Sequence, residues 1–255
     1  MSRIPPAPNT RRHGLSDGRS SIPGMFRLGL DLIRNVRELG RYWPEALLQI
    51  DKFIRSTLPI GLFIGVFSGI GSAIQSGDRV LNAVPHTVVV SSIFKSGIIT
   101  LFPCILALVL AGKVGSAQAA EVGSMKISDQ VDALRTLAID PIGYLGWPRL
   151  AAAVIMVPVV TVFSDICSTL VFYLASLVIH PISPRDFLVG LKLNFSPGYM
   201  AVHMILKPAL FGSVIAFFGF FYGLEAQEGA KGIGLSSTKA MVVSSLLIIA
   251  LNGVL

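Results

Sequence analysis

The sequence predicts an all-α integral membrane protein, and three observations carry that prediction. Of 255 residues, 53% are hydrophobic and 14% charged, with a mean hydropathy of +0.71, which lies outside the usual range of soluble domains. Apolar runs of 16 to 30 residues recur along the chain. They suit helices crossing a hydrocarbon core of about 30 Å and are too long for barrel strands of about 10 residues. Between two of these runs stands GKVGSAQAAEVGSMKISDQVDALRTLAIDP, Gly112 to Pro141, with Lys113, Glu121, Lys126, Asp129, Asp132, Arg135 and Asp140. Hydrocarbon would not tolerate so many charges. The insert is therefore expected to be helical and to sit in water or against another protein.

The elements follow in order. Residues 1–24 hold Pro5, Pro6, Pro8 and Pro23 with Arg3, Arg11, Arg12 and Arg19 and little that could form a core, so a disordered basic tail is expected. No apolar stretch with a cleavage site follows the first charges, as a secretory signal would require. Over residues 25–52 a helical period sets Met25, Leu28, Leu32, Val36, Leu39 and Trp43 against Arg27, Asp31, Arg34, Glu38 and Arg41. A stripe of bulk opposite a stripe of charge, with Tyr42 and Trp43 near its end, predicts an amphipathic helix lying in the membrane interface; packing on a soluble partner is the alternative.

Residues 53–255 form the membrane domain, with about five crossings. They are expected at Thr57 to Ile74, Val84 to Ala111, Leu150 to Ile179, Pro208 to Leu224 and Ala240 to Leu255. Lys95, in the second, can snorkel to a surface. The third, at 30 residues, would measure about 45 Å, so it must tilt, protrude or bend, with Pro158 the natural bending point. The glycine-rich stretch Gly229 to Gly234 has no preceding strand, and a flexible inter-helix turn is expected there.

Lys and Arg counts set the orientation. The chain ahead of the first crossing carries ten, the Gly112 to Arg149 connection four and the loop before the fifth crossing two, against Arg79, Arg185, Lys192 and Lys207 in the loops on the opposite side. The polar insert and the N-terminus are thus expected in the cytoplasm, with the C-terminus outside. The net charge of +7 reads as a topology signal plus attraction to anionic lipid, not as nucleic-acid binding.

Catalytic and metal chemistry find little support. Cys104 and Cys167 both fall in apolar runs, with no CxxC site. Gly112-Lys113 lacks the G-x-x-x-x-G-K-[ST] spacing of a phosphate loop, and Val114 stands where its hydroxyl belongs. Gly61, Gly65 and Gly69, at four-residue spacing, predict a face for close helix packing within the subunit or against a second copy. Asp165, at mid-membrane, would cost about 2.5 to 3.5 kcal/mol without a partner, which predicts a buried polar contact or a wet cavity. Glu225 and Glu228 are expected at the cytoplasmic edge of the fourth crossing.

A longer set of residues bears a likeness. The runs Ala111-Gly112-Lys113-Val114-Gly115-Ser116, Ala120-Glu121-Val122-Gly123-Ser124-Met125-Lys126, Asp129-Gln130-Val131-Asp132-Ala133-Leu134, Ile139-Asp140-Pro141 and Pro148-Arg149-Leu150 closely resemble the MlaE/YrbE permease family. Gly223-Leu224, Gly229 to Gly234, and Lys207 with Phe211-Gly212 add to the likeness, which extends from about residue 50 to 255. It implies the permease of an ABC transporter in the bacterial inner membrane, working as a homodimer with a dimer of cytoplasmic ATPase subunits and an MCE-type lipid-binding protein on the periplasmic side. Some such systems add a small STAS-domain protein. The implied substrate is phospholipid or a similarly apolar lipid carried between inner and outer membranes. No cofactor is implied in this chain, since ATP and Mg would be bound by the partner.

By the same resemblance, Glu121 to Pro141 would form the cytoplasmic coupling helix between the second and third crossings, with Glu121, Gly123, Met125, Gln130, Asp132 and Asp140 as its main contacts to the ATPase. Thr100-Leu101-Phe102-Pro103 stands where many relatives have E-L-G-P, Asn252 where an acidic residue is common, and Leu235 where Arg is frequent. Thr100 and Asn252 are expected near an apolar lipid cavity between paired subunits. Two other readings are a self-sufficient channel or secondary transporter, which would need ionisable residues paired across crossings, and a membrane scaffold that recruits a soluble partner without transport.

Overall fold

The computed structural model describes residues 24, 25, 28, 29, 32, 43–80, 85–137, 139–179, 182–193, 196–227 and 229–254. Nearly all of the expected basic tail lies outside these residues, as do Arg27, Asp31, Arg34, Glu38 and Arg41 of the expected interfacial helix. Among the described residues regular structure is entirely helical, and five helical rods are long and apolar enough to cross a membrane.

The first rod is α1, Trp43–Val80. The sequence sets a boundary between interfacial helix and first crossing near residue 52, but the structure runs straight through it. Charged side chains do not stop a helix, because the backbone ladder is indifferent to them. Asp51 and Arg55, 2.9 Å apart at i,i+4, support that turn.

The second rod runs from His86 to Ile127. It comprises α2 (His86–Ile93), widened π-type turns over Phe94–Leu101, α3 (Phe102–Leu110), further widened turns over Ala111–Gly115, and α4 (Ser116–Ile127). The helix does not end where the apolar run ends at Ala111; the first part of the polar insert continues it. After a left-handed Asp129, with φ of 57°, comes the short α5, Gln130–Thr136. Asp is among the few side chains that tolerate this conformation.

Widened turns over Ile142–Gly146 lead into α6, Trp147–Ile179, which continues through Pro158 as one helix. Then follow α7 (Pro184–Leu193), α8 (Pro197–Ala201), widened turns over Val202–Leu206, α9 (Lys207–Leu224) and α10 (Gly229–Val254). Three of the four widened stretches end two residues before a proline: Pro103, Pro148 and Pro208. Proline lacks an N–H and its ring collides with the carbonyl four residues back, and a wider turn swings that carbonyl aside.

Three expectations are corrected here. Gly229 to Gly234 is not a flexible turn but the first turns of α10, with Gly229 at φ 85° opening the helix and Gly232 packed directly against the backbone of Gln227. Lys207, counted as a loop charge, is fully buried in the first turn of α9. The segment Pro184–Leu193, read as a charged loop, is a helix whose Gly190 lies against Thr87 and Val90 of α2.

Three buried clusters stack along the bundle. One end is built from Ala119, Val122, Val131, Leu145, Phe220 and Leu224, and here Leu28 and Leu32 meet the protein's own core. The middle gathers Leu106, Leu110, Val157, Val160, Phe211, Ile215 and Ile248 from α3, α6, α9 and α10. The other end holds Val89, Ile93, Phe172, Ile182 and Phe187. The largest helix contact is between α1 and α6. There Gly61, Gly65 and Gly69 form the seam, facing Val160, Ser164, Ser168 and Val171 of the same subunit. Phe63, Phe67, Ile166, Leu170, Leu174, Leu246 and Ile249 remain exposed, an outer surface suited to lipid.

Candidate functional site

The polar insert divides into a clamped part and a projecting part. On α4, the Glu121 carboxylate accepts from Lys52 Nζ of α1 at 3.0 Å and from Arg149 of α6 at 3.2 Å. Arg149 also donates to the Leu145 carbonyl at 2.9 Å and is almost fully buried, 3% exposed. One carboxylate thus ties three rods together. Farther along α4, Lys126 donates to the Ala226 carbonyl at 3.0 Å, and a Cβ at Gly123 would lie 2.9 Å from the Ala226 side chain. Lys113 donates to the Ser56 carbonyl of α1. The helix α4 is therefore part of the bundle, fixed on both sides by charge-assisted hydrogen bonds and close packing.

The projecting part is α5. Only Val131 is buried there, while Asp129, Gln130, Asp132, Ala133, Arg135, Thr136 and Leu137 are exposed. Asp132 and Arg135 pair with each other at 2.9 Å in solvent, an interaction of little energetic weight.

The residues expected to contact a partner therefore divide. Gln130 and Asp132 are open on α5. Gly123 is buried inside the chain, Met125 is half-buried with its sulfur 3.9 Å from Arg149, and Glu121 is the internal strut. Asp140 caps the following helix: its two oxygens accept from the Ile142 and Gly143 amides, both at 3.2 Å, with Pro141 at the first helical position. Near this end, burial holds the Glu225 carboxyl above its ordinary range, against the pull of Lys239 and Lys126.

Toward the other end of the second rod lies a cavity of about 570 Å³ lined by Ser92, Lys95, Ser96, Thr100, Leu101 and Tyr199. Thr100 Oγ1 and the Tyr199 hydroxyl are 3.1 Å apart, Lys95 Nζ sits 4.9 Å from the centre of the Tyr199 ring, and His203 stacks on that ring at 3.9 Å. Asn252, on α10, does not line this cavity, and its Oδ1 is buried without a hydrogen-bond partner among the described residues. A second, apolar cavity of about 530 Å³ includes Asp165 in its wall. Sequence reasoning assigned no role to Arg149, Lys52 or Tyr199. Their importance is geometric, and only Arg149, inside the Pro148-Arg149-Leu150 match, carried any sequence signal.

Comparison with known proteins agrees with this architecture. The family described as Permease MlaE matches residues 46–255. A "Probable ABC transporter permease protein" of Synechocystis sp. is 35% identical over 208 residues, covering 82% of this chain and 79% of the relative. One of the same description from Rickettsia bellii is 31% identical over 246 residues, covering 88% and 93%. The chloroplastic protein TRIGALACTOSYLDIACYLGLYCEROL 1 of Arabidopsis thaliana is 30% identical over 203 residues, covering 80% of this chain and 58% of the relative.

Proposed function

Because the chain belongs to the MlaE permease family of ABC transporters, we propose that it moves phospholipid or a similar apolar lipid between inner and outer membranes, driven by a separate ATPase subunit docked on α5. The observation that carries this reading is the division of the polar insert. The helix α4 is locked to α1 and α6 through Glu121, while α5 offers Asp129, Gln130, Asp132 and Leu137 to solvent with few contacts of its own. A push on α5 passes into α4 and, through Glu121, to Lys52 of the first rod and Arg149 of the third. No catalytic side chain is needed for that.

On this reading the end bearing α5 faces the cytoplasm of a bacterial inner membrane, and α7 lies at the periplasmic end, where an MCE-type protein would receive lipid. A second copy would enclose a lipid cavity between the paired subunits, with Thr100 and Asn252 near it on different helices; a STAS-domain protein is a further partner in some systems of this class. The name of the Arabidopsis relative, which contains that of a galactolipid, supports a lipid substrate.

The test is co-purification. Asp132→Lys should abolish recovery of the cognate ATPase subunit while the permease keeps its elution volume, and Asp186→Lys, on α7 at the far end, should leave recovery unchanged. Full recovery with Asp132→Lys would reject α5 as the docking helix. Mass spectrometry of lipid retained by the purified complex tests the substrate separately.

A further inference from the structure

The cavity beside Asp165 lies apart from the polar cavity at Thr100. Its walls come from the second rod, α6, the start of α7 and the fourth rod, among them Phe94, Tyr173, Phe187 and Met204. At about 530 Å³ it falls within the range of small-molecule sites, about 300–1,000 Å³. Its mouth is flanked by Ile166, Leu170 and Leu188, all more than half exposed on the lipid-facing surface, so entry is from the hydrocarbon.

Within this apolar space stands one ionisable group. Asp165 is 3% exposed, and its Oδ2 has no hydrogen-bond partner among the described residues. Thr169 does not supply one, because its hydroxyl donates to the Asp165 main-chain carbonyl at 2.8 Å. Among the described residues no Lys, Arg or His lines the cavity. A buried carboxyl left without a partner costs several kcal/mol, and helices in lipid rarely keep one without a use. Neither the proposed coupling route nor the polar cavity uses it.

We propose that this cavity binds an amphiphile with an aliphatic body and an ammonium head, the ammonium donating to Asp165 Oδ2 and the body filling the space among Phe94, Tyr173, Phe187 and Met204. A cationic nitrogen supplies both the missing hydrogen bond and the compensating charge. A phosphate beside that nitrogen would find no basic group in these walls, so the occupant is a phosphate-free amine, distinct from a zwitterionic phospholipid. The site does not rest on the lipid-transport reading.

The test uses the full chain in phosphatidylcholine nanodiscs with radiolabelled dodecylamine. Saturable binding is expected, with dodecanol, dodecanoate and lysophosphatidylethanolamine each competing about tenfold more weakly or worse, as loss of one charge-assisted hydrogen bond implies. Asp165→Asn should reduce the amine's affinity to that of dodecanol and leave dodecanol unchanged. Leu170→Trp, which narrows the mouth and keeps the carboxyl, should weaken both. Equal competition by dodecanol or by lysophosphatidylethanolamine on the unmodified protein would overturn the assignment without any variant, as would an amine preference that survives Asp165→Asn.

Discussion

Gly65→Ala should separate the two most extensively packed helices. A Cβ at residue 65 would stand 2.6 Å from the Ser164 carbonyl oxygen and 3.3 Å from its carbonyl carbon. Carbon–oxygen contacts settle at about 3.3–3.6 Å, so α1 and α6 must part by roughly 0.7–1 Å. The obstacle is backbone, which cannot rotate away as a side chain would. Gly61 and Gly69 repeat the approach one turn to either side, with a Cβ at 69 lying 2.5 Å from the Ser168 carbonyl oxygen. Overpacking of this kind costs about 1–3 kcal/mol, and a rigid seam places the loss near 3. Gly71, on the same helix, is exposed with no heavy atom within 4 Å of a Cβ, so Gly71→Ala should gain up to about 1 kcal/mol of helix propensity. Gly65→Ala gains the same propensity, so the two variants should differ by the clash alone, about 3 kcal/mol. Equilibrium unfolding of the purified protein in mixed micelles with rising dodecyl sulfate measures the difference. If Gly65→Ala unfolds within about 0.5 kcal/mol of Gly71→Ala, roughly the scatter of surface substitutions, the close-approach argument for the seam is wrong.

Glu121→Gln should destabilise the protein by about 2–4 kcal/mol, less than a fully enclosed pair would lose because Glu121 is one-third exposed, and adding Arg149→Met should recover most of that loss. Thermal unfolding of the four proteins in the double-mutant cycle checks it, and additive losses would deny the coupling. Tyr199→Phe removes the hydroxyl facing Thr100 and should cost about 0.5–1.5 kcal/mol. Faster hydrogen exchange confined to residues 94–101 and 199–206 is the expected sign, and unchanged exchange would contradict it. Because burial raises the Glu225 carboxyl above its ordinary value of 4.5, the native state holds a proton there that the unfolded chain has already released. Stability should therefore decline slightly as pH rises through 4.5 toward the folded value, and Glu225→Gln should flatten that slope. A slope that persists in the variant belongs to another group.

The parts of the fold that follow from polarity and spacing were legible in the sequence. Apolar runs located five crossings, and the four-residue repeat of Gly61, Gly65 and Gly69 announced a close helix contact, because both signals depend only on what neighbours along the chain can do. Boundaries were less legible. Ala111 ends the apolar run, yet the helix continues to Ile127, since water and protein accept a polar helix as readily as lipid accepts an apolar one. The segment Pro184–Leu193 looked like a loop because Arg185, Asp186 and Lys192 interrupt it, whereas only Phe187 and Gly190 need to face inward for it to pack. At the candidate site, charge along α4 and α5 read as a single exposed surface. The inward turn of Glu121 became visible only with Arg149 and Lys52 in place, partners 28 and 69 residues away.

The widened turns ahead of Pro103, Pro148 and Pro208 alter the bookkeeping of helical phase. Each holds about one residue more than a regular α-turn, which rotates everything downstream by about 100° around the axis. A heptad or moment calculation run uninterrupted through residues 94–101, 142–146 or 202–206 will therefore point the second half of each rod in the wrong direction. By the same geometry, trimming one residue from such a stretch and replacing its proline restores a regular spiral, so these three places are where the chain can change length by a single residue and keep both ends of the rod intact.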